Sequence, residues 1–231
     1  MIENVITLQK NDVIGKNISG QTIRMIGRES KIKEVEAFKN RLLEEADAQG
    51  IEVTDNLEEA DAALLFLYPE SGDYFNATDG YLELGLVENK EKESIKDGSK
   101  YEETTLSNLD ELEKIVKVMQ EADKPVITSV NFTLAWILDT IEPDSDALIA
   151  SFDTFESAQM DVIFGKYNPT GRLSITLPKN QEVLAVDEDG IAVSPNDVPG
   201  YAKSDYMEDD TYPYEDSQGN IYQLNFGLSY Y

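Results

Sequence analysis

The chain has 231 residues, of which 41% are apolar, and a formal net charge of −27 from 46 acidic and 19 basic side chains. This size suffices for the core of one large domain, and the acidity argues against nucleic-acid and membrane partners. The sequence has no cysteine and no histidine, which excludes disulfides, thiolate nucleophiles and the Ser-His-Asp triad. Acid–base chemistry near neutral pH therefore falls to carboxylates, tyrosines or lysines.

The N-terminus and the apolar runs give an expectation about location. Residues 1–7 lack the basic and then apolar pattern of a signal peptide. The longest apolar run, about 60–68, is too short to span a bilayer. As the chain stands, these features and the absence of cysteine predict a cytoplasmic protein.

Strands and helices alternate in the predicted order. A short apolar run predicts a strand at 22–27, and apolar residues three and four apart predict a helix over 32–49 with Gly50 as its C-cap. Further strands are predicted at 51–53, 62–68, 126–130 and 147–152, and further helices at 106–122, 134–141 and 155–164. This alternation predicts βαβ crossovers and a three-layer α/β sandwich with a mostly parallel, flavodoxin-like sheet.

Two segments do not follow this alternation. The polar connection 71–105 is much longer than an ordinary βα loop, so we expect it to be functional or mobile. Residues 178–220 are rich in proline, aspartate and tyrosine and are predicted to be an irregular excursion over the surface, followed by a return strand near 222–228. The sequence shows no internal repeat and no domain linker.

Two motifs near the C-terminus carry a resemblance to a known family. Residues 161–173 read D-V-I-F-G-K-Y-N-P-T-G-R-L, and they predict a helix end, a tight turn and a strand start. This string resembles the D-V-x-F-G-x-x-N-P-S-G-R-L signature in the second domain of family 3 glycoside hydrolases, the β-glucosidase and β-xylosidase group. Residues 225–230, N-F-G-L-S-Y, resemble the F-G-x-G-L-S-Y segment that follows it, and 4–11 resemble the segment that enters that domain.

The resemblance covers nearly all of the chain but only about the last third of a typical family member. It implies one domain over 1–231 with five or six strands, of which 1–20 form the entering segment. It also implies that the (β/α)₈ barrel preceding this domain is absent, since a barrel takes about 200 residues or more.

Family 3 enzymes cleave β-linked sugars with retention of configuration, which requires two carboxyl groups about 5–5.5 Å apart. The family's nucleophile is an aspartate in a Ser-Asp-Trp context on the barrel, whereas the single tryptophan here, Trp136, follows Leu-Ala. The acid/base often lies in an S-G-E-G-Y-D-R loop after the third strand, and here 70–76 read E-S-G-D-Y-F-N. The resemblance makes Asp73 the candidate acid/base and Glu70 the fallback, against the alternative that both are solvated loop acids.

The resemblance implies half of an active site. We expect the second domain of a retaining β-glycosidase, which contributes the acid/base loop and part of the sugar pocket and is inactive alone because it lacks the nucleophile. Its partners would be a barrel domain, a β-linked sugar and, through an exposed apolar surface, a second copy of the chain. The alternative is a non-catalytic carbohydrate-binding or protein-interaction module. A flavodoxin-like receiver or nucleotide domain is a third reading, supported by topology alone.

Other groupings give weaker signals. Asp73, Asn76, Asp79 and Glu83 resemble an oxygen-rich metal loop, as does 187–190, but their glycine offsets do not fit an EF-hand, so we expect no metal and no cofactor. Five tyrosines could stack against sugar rings or simply fill the core, namely Tyr201, Tyr206, Tyr212, Tyr214 and Tyr222.

Overall fold

The computed structural model describes residues 5–9, 21–27, 32–71, 83–94, 97–183 and 212–230. Its strands are β1 (Val5–Gln9), β2 (Gln21–Gly27), β3 (Ala62–Tyr68), β4 (Lys90–Glu93), β5 (Lys100–Glu103), β6 (Val126–Asn131) and β7 (Ala147–Ser151). Its helices are α1 (Ile32–Ala48), α2 (Leu109–Glu121) and α3 (Glu156–Ile163), and a short 3₁₀ turn spans Gln181–Val183.

Five of the strands form one sheet, in the order β1-β7-β6-β3-β2. Four of them, β2, β3, β6 and β7, are parallel, and β1 joins the edge antiparallel to β7. The mostly parallel sheet predicted from the alternation of elements is therefore confirmed. The remaining strands, β4 and β5, form a separate antiparallel hairpin within the connection 71–105.

Helices and irregular segments cover both faces of the sheet. On one face, Leu64 and Phe66 of β3 pack with side chains of α1 and α3. On the other face, Leu65 and Leu67 pack with α2 and with segments around 132–141, 173–177 and 214–226. Because both faces are covered, β3 is buried along almost its whole length, as its continuous apolar sequence predicts.

The helices follow the predicted apolar spacing. In α1, Phe38, Leu42 and Ala46 lie four residues apart and are buried. The helix ends at Ala48. Gly50 follows it with a φ of 71°, in the left-handed region, and Ile51 N–H donates back to Ala46 O at 2.9 Å. The predicted C-cap is therefore confirmed. None of the helices in the described part of the chain combines the length and apolarity that a bilayer crossing requires.

Three predicted elements are wrong or reduced. Residues 134–141 form no helix, because Ile137 N–H donates to Leu84 O at 2.8 Å and the segment packs as an irregular chain whose apolar side chains enter the core. At 51–53 only Val53 forms a bridge, and the return strand at 222–228 is replaced by isolated bridges and turns. At 134–141 the apolar spacing reflects burial rather than regular backbone geometry.

The parallel strands are added in one direction across the sheet, in the chain order β2, β3, β6 and β7. The helix α1 follows β2 and packs on one face, whereas α2 follows β3 and packs on the opposite face. Ligands of open α/β sheets bind outside the carboxyl ends of the strands. A site is therefore expected at that edge of the sheet.

Candidate functional site

Polar side chains lie at the carboxyl ends of three neighbouring strands. Glu70 follows β3 by two positions, Asn131 is the last residue of β6, and Asp153 follows β7 by two positions. Because β3, β6 and β7 are adjacent and parallel, these residues share one edge of the sheet. Asp73, the other candidate acid/base, lies outside the described residues.

Glu70 stands at the base of the long connection. It is half-buried, and its backbone N–H donates to Thr105 O at 2.9 Å. Thr105 in turn donates its N–H to Val87 O at 2.9 Å, and the Val87 N–H donates to Thr105 Oγ1 at 3.0 Å. The two ends of the connection are thus held together at the sheet, and its sequence between them includes the candidate Asp73.

Asn131 holds Asp153 in an uncommon backbone conformation. The φ of Asp153 is 47°, in the left-handed region. Asn131 stabilises it from two sides, because its Nδ2 donates to Asp153 Oδ1 at 3.0 Å and its Oδ1 accepts the Asp153 N–H at 2.9 Å. Asn131 is buried and Asp153 is exposed, so the pair presents a carboxylate of fixed orientation to the edge of the sheet.

A buried network lies beneath this edge. Ser129 Oγ donates to Gln159 Oε1 at 2.7 Å, and Gln159 Nε2 donates to Thr154 O at 3.0 Å. The Tyr68 hydroxyl at the end of β3 belongs to the same group, since burial raises its pKa well above the ordinary value while a hydrogen bond with Gln159 acts in the opposite direction. This network fixes the ends of β3 and β6 against the start of α3.

Glu156 and Arg41 link the two helices on this face. Their side chains form an ion pair between α3 and α1, with Glu156 nearly buried and Arg41 more than half exposed. The Arg41 guanidinium also lies 5.5 Å from the centre of the Phe38 ring. The pair orients α1 relative to the start of α3. Its role is to hold these two helices in position rather than to perform chemistry.

The two C-terminal motifs pack against each other. Leu173 N–H donates to Phe226 O at 2.8 Å, and Tyr230 N–H donates to Asn168 Oδ1 at 2.7 Å. A Cβ on Gly227 would lie 2.4 Å from Gly171 O, so this contact admits no side chain. The motifs that suggested the family thus form one structural lock between the turn after α3 and the end of the chain.

The family model for the glycosyl hydrolase family 3 C-terminal domain matches residues 5–230. The chain belongs to this family. A protein of Formosa agariphila that carries the provisional name beta-xylosidase is 24% identical over 150 residues, which cover 64% of this chain and 18% of that protein.

Solved structures of larger proteins contain the same fold. The beta-D-glucoside glucohydrolase of Trichoderma reesei matches with a TM-score of 0.53 and 18% identity, over 99% of this chain and 36% of that one. The beta-glucosidase 3B of Thermotoga neapolitana matches with a TM-score of 0.57 and 15% identity, over 98% of this chain and 36% of that one. This family 3 domain therefore spans little more than a third of either structure.

Glu83 of this family 3 domain is paired with two lysines. Its carboxylate is buried, and Oε2 accepts hydrogen bonds from Lys90 Nζ and Lys92 Nζ at 3.0 Å each. The other three residues of the predicted metal-like loop, Asp73, Asn76 and Asp79, lie outside the described residues, as does 187–190. Within the described ranges, no group of three or more acidic side chains is arranged to hold a metal ion.

The described tyrosines belong to the core. Tyr212, Tyr214 and Tyr222 are buried, and the Tyr214 and Tyr222 rings lie 5.5 Å apart. Tyr214 OH donates to Glu142 Oε2 at 2.8 Å, and Tyr222 OH donates to Asp216 Oδ2 at 3.0 Å. They are core and hydrogen-bonding residues, not a stacking surface for sugars. Tyr201 and Tyr206 lie outside the described residues.

The resemblance makes Glu70 a candidate, whereas three other polar residues at the same edge are not predicted from the sequence. Asn131, Asp153 and Gln159 carry no motif that sets them apart among many polar residues. A usable signal was present, because Asn131 and Asp153 stand directly at the ends of two correctly predicted strands. Gln159 gave none, since its role depends on the packing of α3 against β6.

Proposed function

We propose that this domain is the second domain of a retaining β-glycosidase, contributing the acid/base loop and part of the sugar pocket. The observation that carries the proposal is the family match over residues 5–230. The similar proteins named above carry β-glucosidase and β-xylosidase names, which supports a β-linked sugar as substrate. The whole chain, 1–231, then acts as one domain of a larger catalytic unit.

The carboxyl edge of the sheet is the proposed face of the sugar pocket. It carries Glu70 and the oriented Asp153 carboxylate, and ligands of open α/β sheets bind outside the carboxyl ends of the strands. Phe155, at the start of α3 on the same edge, is 56% exposed, which supports packing against a further domain. The proposed partner is the barrel that bears the nucleophile in this family.

The proposed acid/base is Asp73, with Glu70 as the fallback. An acid/base must protonate the leaving oxygen, then deprotonate the attacking water. Asp73 is one methylene shorter than the family's glutamate and has to approach the leaving oxygen more closely. Glu70 has the longer side chain, but it stands at the base of the connection, where its N–H is held by Thr105 O.

The chain is tested in combination with the barrel domain of a retaining family 3 enzyme. Replacing the acid/base, by Asp73→Asn or Glu70→Gln, should slow hydrolysis of an aryl β-glucoside with a poor leaving group by about 10²–10⁴-fold. For a substrate whose leaving group needs no protonation, formation of the glycosyl-enzyme should be slowed much less. Its hydrolysis by water still needs the general base, so added azide, which needs none, should restore turnover of this second substrate in the variant that lacks the acid/base.

The control is Glu91→Gln, which removes an exposed carboxylate in the β4–β5 hairpin. Full activity in both Asp73→Asn and Glu70→Gln would refute the acid/base assignment. Sugar binding without turnover in every combination would instead support the non-catalytic carbohydrate-binding module.

A further inference from the structure

Asp153 has a backbone conformation that its place in the fold does not require. Its φ of 47° is in the left-handed region, which costs free energy for residues other than glycine. Asp123 has a similar φ of 54°, but it stands just after the end of α2. Its N–H donates to Gln120 O at 3.1 Å and the Lys124 N–H donates to Met119 O at 2.9 Å, which are the usual hydrogen bonds of a helix C-terminus. Asp153 follows a strand, so no helix end accounts for its conformation.

Both ends of the Asn131 amide are committed to Asp153. Asn131 is only 4% exposed, and burial of an amide is unfavourable unless it is hydrogen-bonded. Its two hydrogen bonds hold one carboxylate oxygen and the backbone N–H of Asp153 together. Ser151 Oγ also donates to Asn131 Oδ1, at 3.3 Å. The orientation of the Asp153 carboxylate is therefore set before any ligand binds, and a preorganised group loses little conformational entropy on binding.

Only one of the two carboxylate oxygens of Asp153 is used in this way. Asn131 donates to Oδ1, and among the described residues no donor reaches Oδ2 and no lysine or arginine pairs with the carboxylate. The side chain is exposed. An ionised carboxylate only accepts hydrogen bonds, and its bonds are about twice as strong as those between neutral groups. Oδ2 therefore suits a ligand that presents a hydroxyl group.

Asp153 lies on the same side of the molecule as Glu70. Neighbouring strands lie about 4.8 Å apart and β6 separates β7 from β3, so the ends of β7 and β3 are about 10 Å apart. Besides burial, the negative charges of Glu156 and Asp153 raise the pKa of Tyr68, which places the Asp153 carboxylate within electrostatic range of the last residue of β3. Glu70 follows two residues later. A small ligand bound at this edge would lie within reach of both Asp153 and Glu70.

We propose that Asp153 accepts a hydrogen bond from one hydroxyl group of the bound sugar through Oδ2, and that Asn131 is the positioning residue that holds it there. The inference rests on the proposed function, because it requires the sugar to bind at the carboxyl edge of the sheet. A fixed acceptor discriminates against a sugar that lacks the matching hydroxyl, since the buried partner is then left without its hydrogen bond. Asp153 is thus a specificity-determining residue, separate from the acid/base.

Monodeoxy analogues of an aryl β-glucoside test this contact, with the full chain mixed with the barrel domain of a retaining family 3 enzyme. In the wild type, removing the hydroxyl that Asp153 binds should lower kcat/KM by about 10- to 100-fold. Asp153→Asn keeps the size of the side chain and its tolerance of the left-handed region, but it replaces Oδ2 with a donor. This variant should lose most of the penalty for that one analogue and keep the penalties for the others.

Two further variants separate the contact from a general loss of structure. Asn131→Ala should reduce the penalty for the same analogue and for no other, because the carboxylate is no longer oriented. Asp123→Asn is the matched control, since Asp123 is also exposed and left-handed but precedes β6 at the opposite edge of the sheet. It should leave every value of kcat/KM unchanged.

The outcomes distinguish this inference from the proposed function. Turnover by the mixture with the same penalties in the wild type and in Asp153→Asn would overturn the inference and leave the proposed function standing. Weaker association of Asp153→Asn with the barrel domain, without a change in these penalties, would also overturn it, because Asp153 would then contact the barrel rather than the sugar. No turnover by the wild-type mixture would refute the proposed function and the inference together.

Discussion

Tyr214 and Tyr222 pair their hydroxyls with the buried carboxylates of Glu142 and Asp216. Burial, reinforced by these negative charges, raises the pKa of both phenols above the ordinary value of 10.0. A buried tyrosine next to a carboxylate is therefore held as a neutral donor. This explains why Tyr214 and Tyr222, which the sequence allows to stack against sugar rings, are instead part of the core.

The raised phenol pKa values predict how stability depends on pH. Folding keeps these phenols neutral, so their contribution is complete below about pH 10 and falls as the unfolded chain ionises above it. We expect the tyrosinate absorbance of Tyr68, Tyr214 and Tyr222 to appear only together with the loss of circular dichroism. Replacing Tyr214 with Phe should remove one such group and cost about 1–3 kcal/mol, because Glu142 loses a buried donor. Ionisation of all tyrosines before unfolding would contradict this assignment.

At the scale of elements, β3 shows what the sequence could determine. Its predicted bounds, 62–68, match the structure. A short, continuously apolar run is typical of a parallel strand that is covered on both faces, and the bounds of the run set the bounds of the strand. The helices α1, α2 and α3 were also found, since each buries residues at helical spacing. For the edge strand β1 the sequence predicts only a segment that enters the domain, because the pairing of β1 with β7 depends on tertiary contacts.

The segment 134–141 shows where this reasoning stops. Trp136, Ile137 and Leu138 are almost completely buried, and the spacing of these apolar residues is compatible with a helix. The backbone instead bonds to Leu84, which is more than 50 residues away in the sequence. The same limit applies to the site. Glu70 follows from the resemblance, whereas the contacts of Asn131 with Asp153 and of Glu83 with two lysines require the fold.

The lock between the two C-terminal motifs gives a prediction at this scale. Gly227→Ala should destabilise the domain by about 1–3 kcal/mol, because its Cβ would lie 2.4 Å from the backbone oxygen of Gly171. The control is Gly50→Ala, where the new Cβ meets nothing within 4 Å and only the left-handed φ opposes it. That variant should lose about 1 kcal/mol. Denaturant unfolding measures both, and a smaller loss for Gly227→Ala than for Gly50→Ala would argue against the lock.

At the scale of the whole molecule, the fold and its family support the proposal that this domain is one half of a catalytic unit. The described sheet presents its carboxyl edge with an oriented carboxylate, and the two ends of the long connection are held together there by the hydrogen bond between Glu70 and Thr105. The solved family structures named above are about three times as long, and the chain matches 36% of each. We therefore expect chemistry to require a second domain that supplies the nucleophile.

The most direct test is the hydrolysis of an aryl β-glucoside by the purified chain, alone and mixed with the barrel domain of a retaining family 3 enzyme. Retention needs two carboxyl groups with separate roles, and we propose that this chain supplies only one. We expect no turnover from the chain alone, and turnover in the mixture above that of the barrel alone. Turnover by the chain alone that a single aspartate or glutamate substitution abolishes would contradict the account.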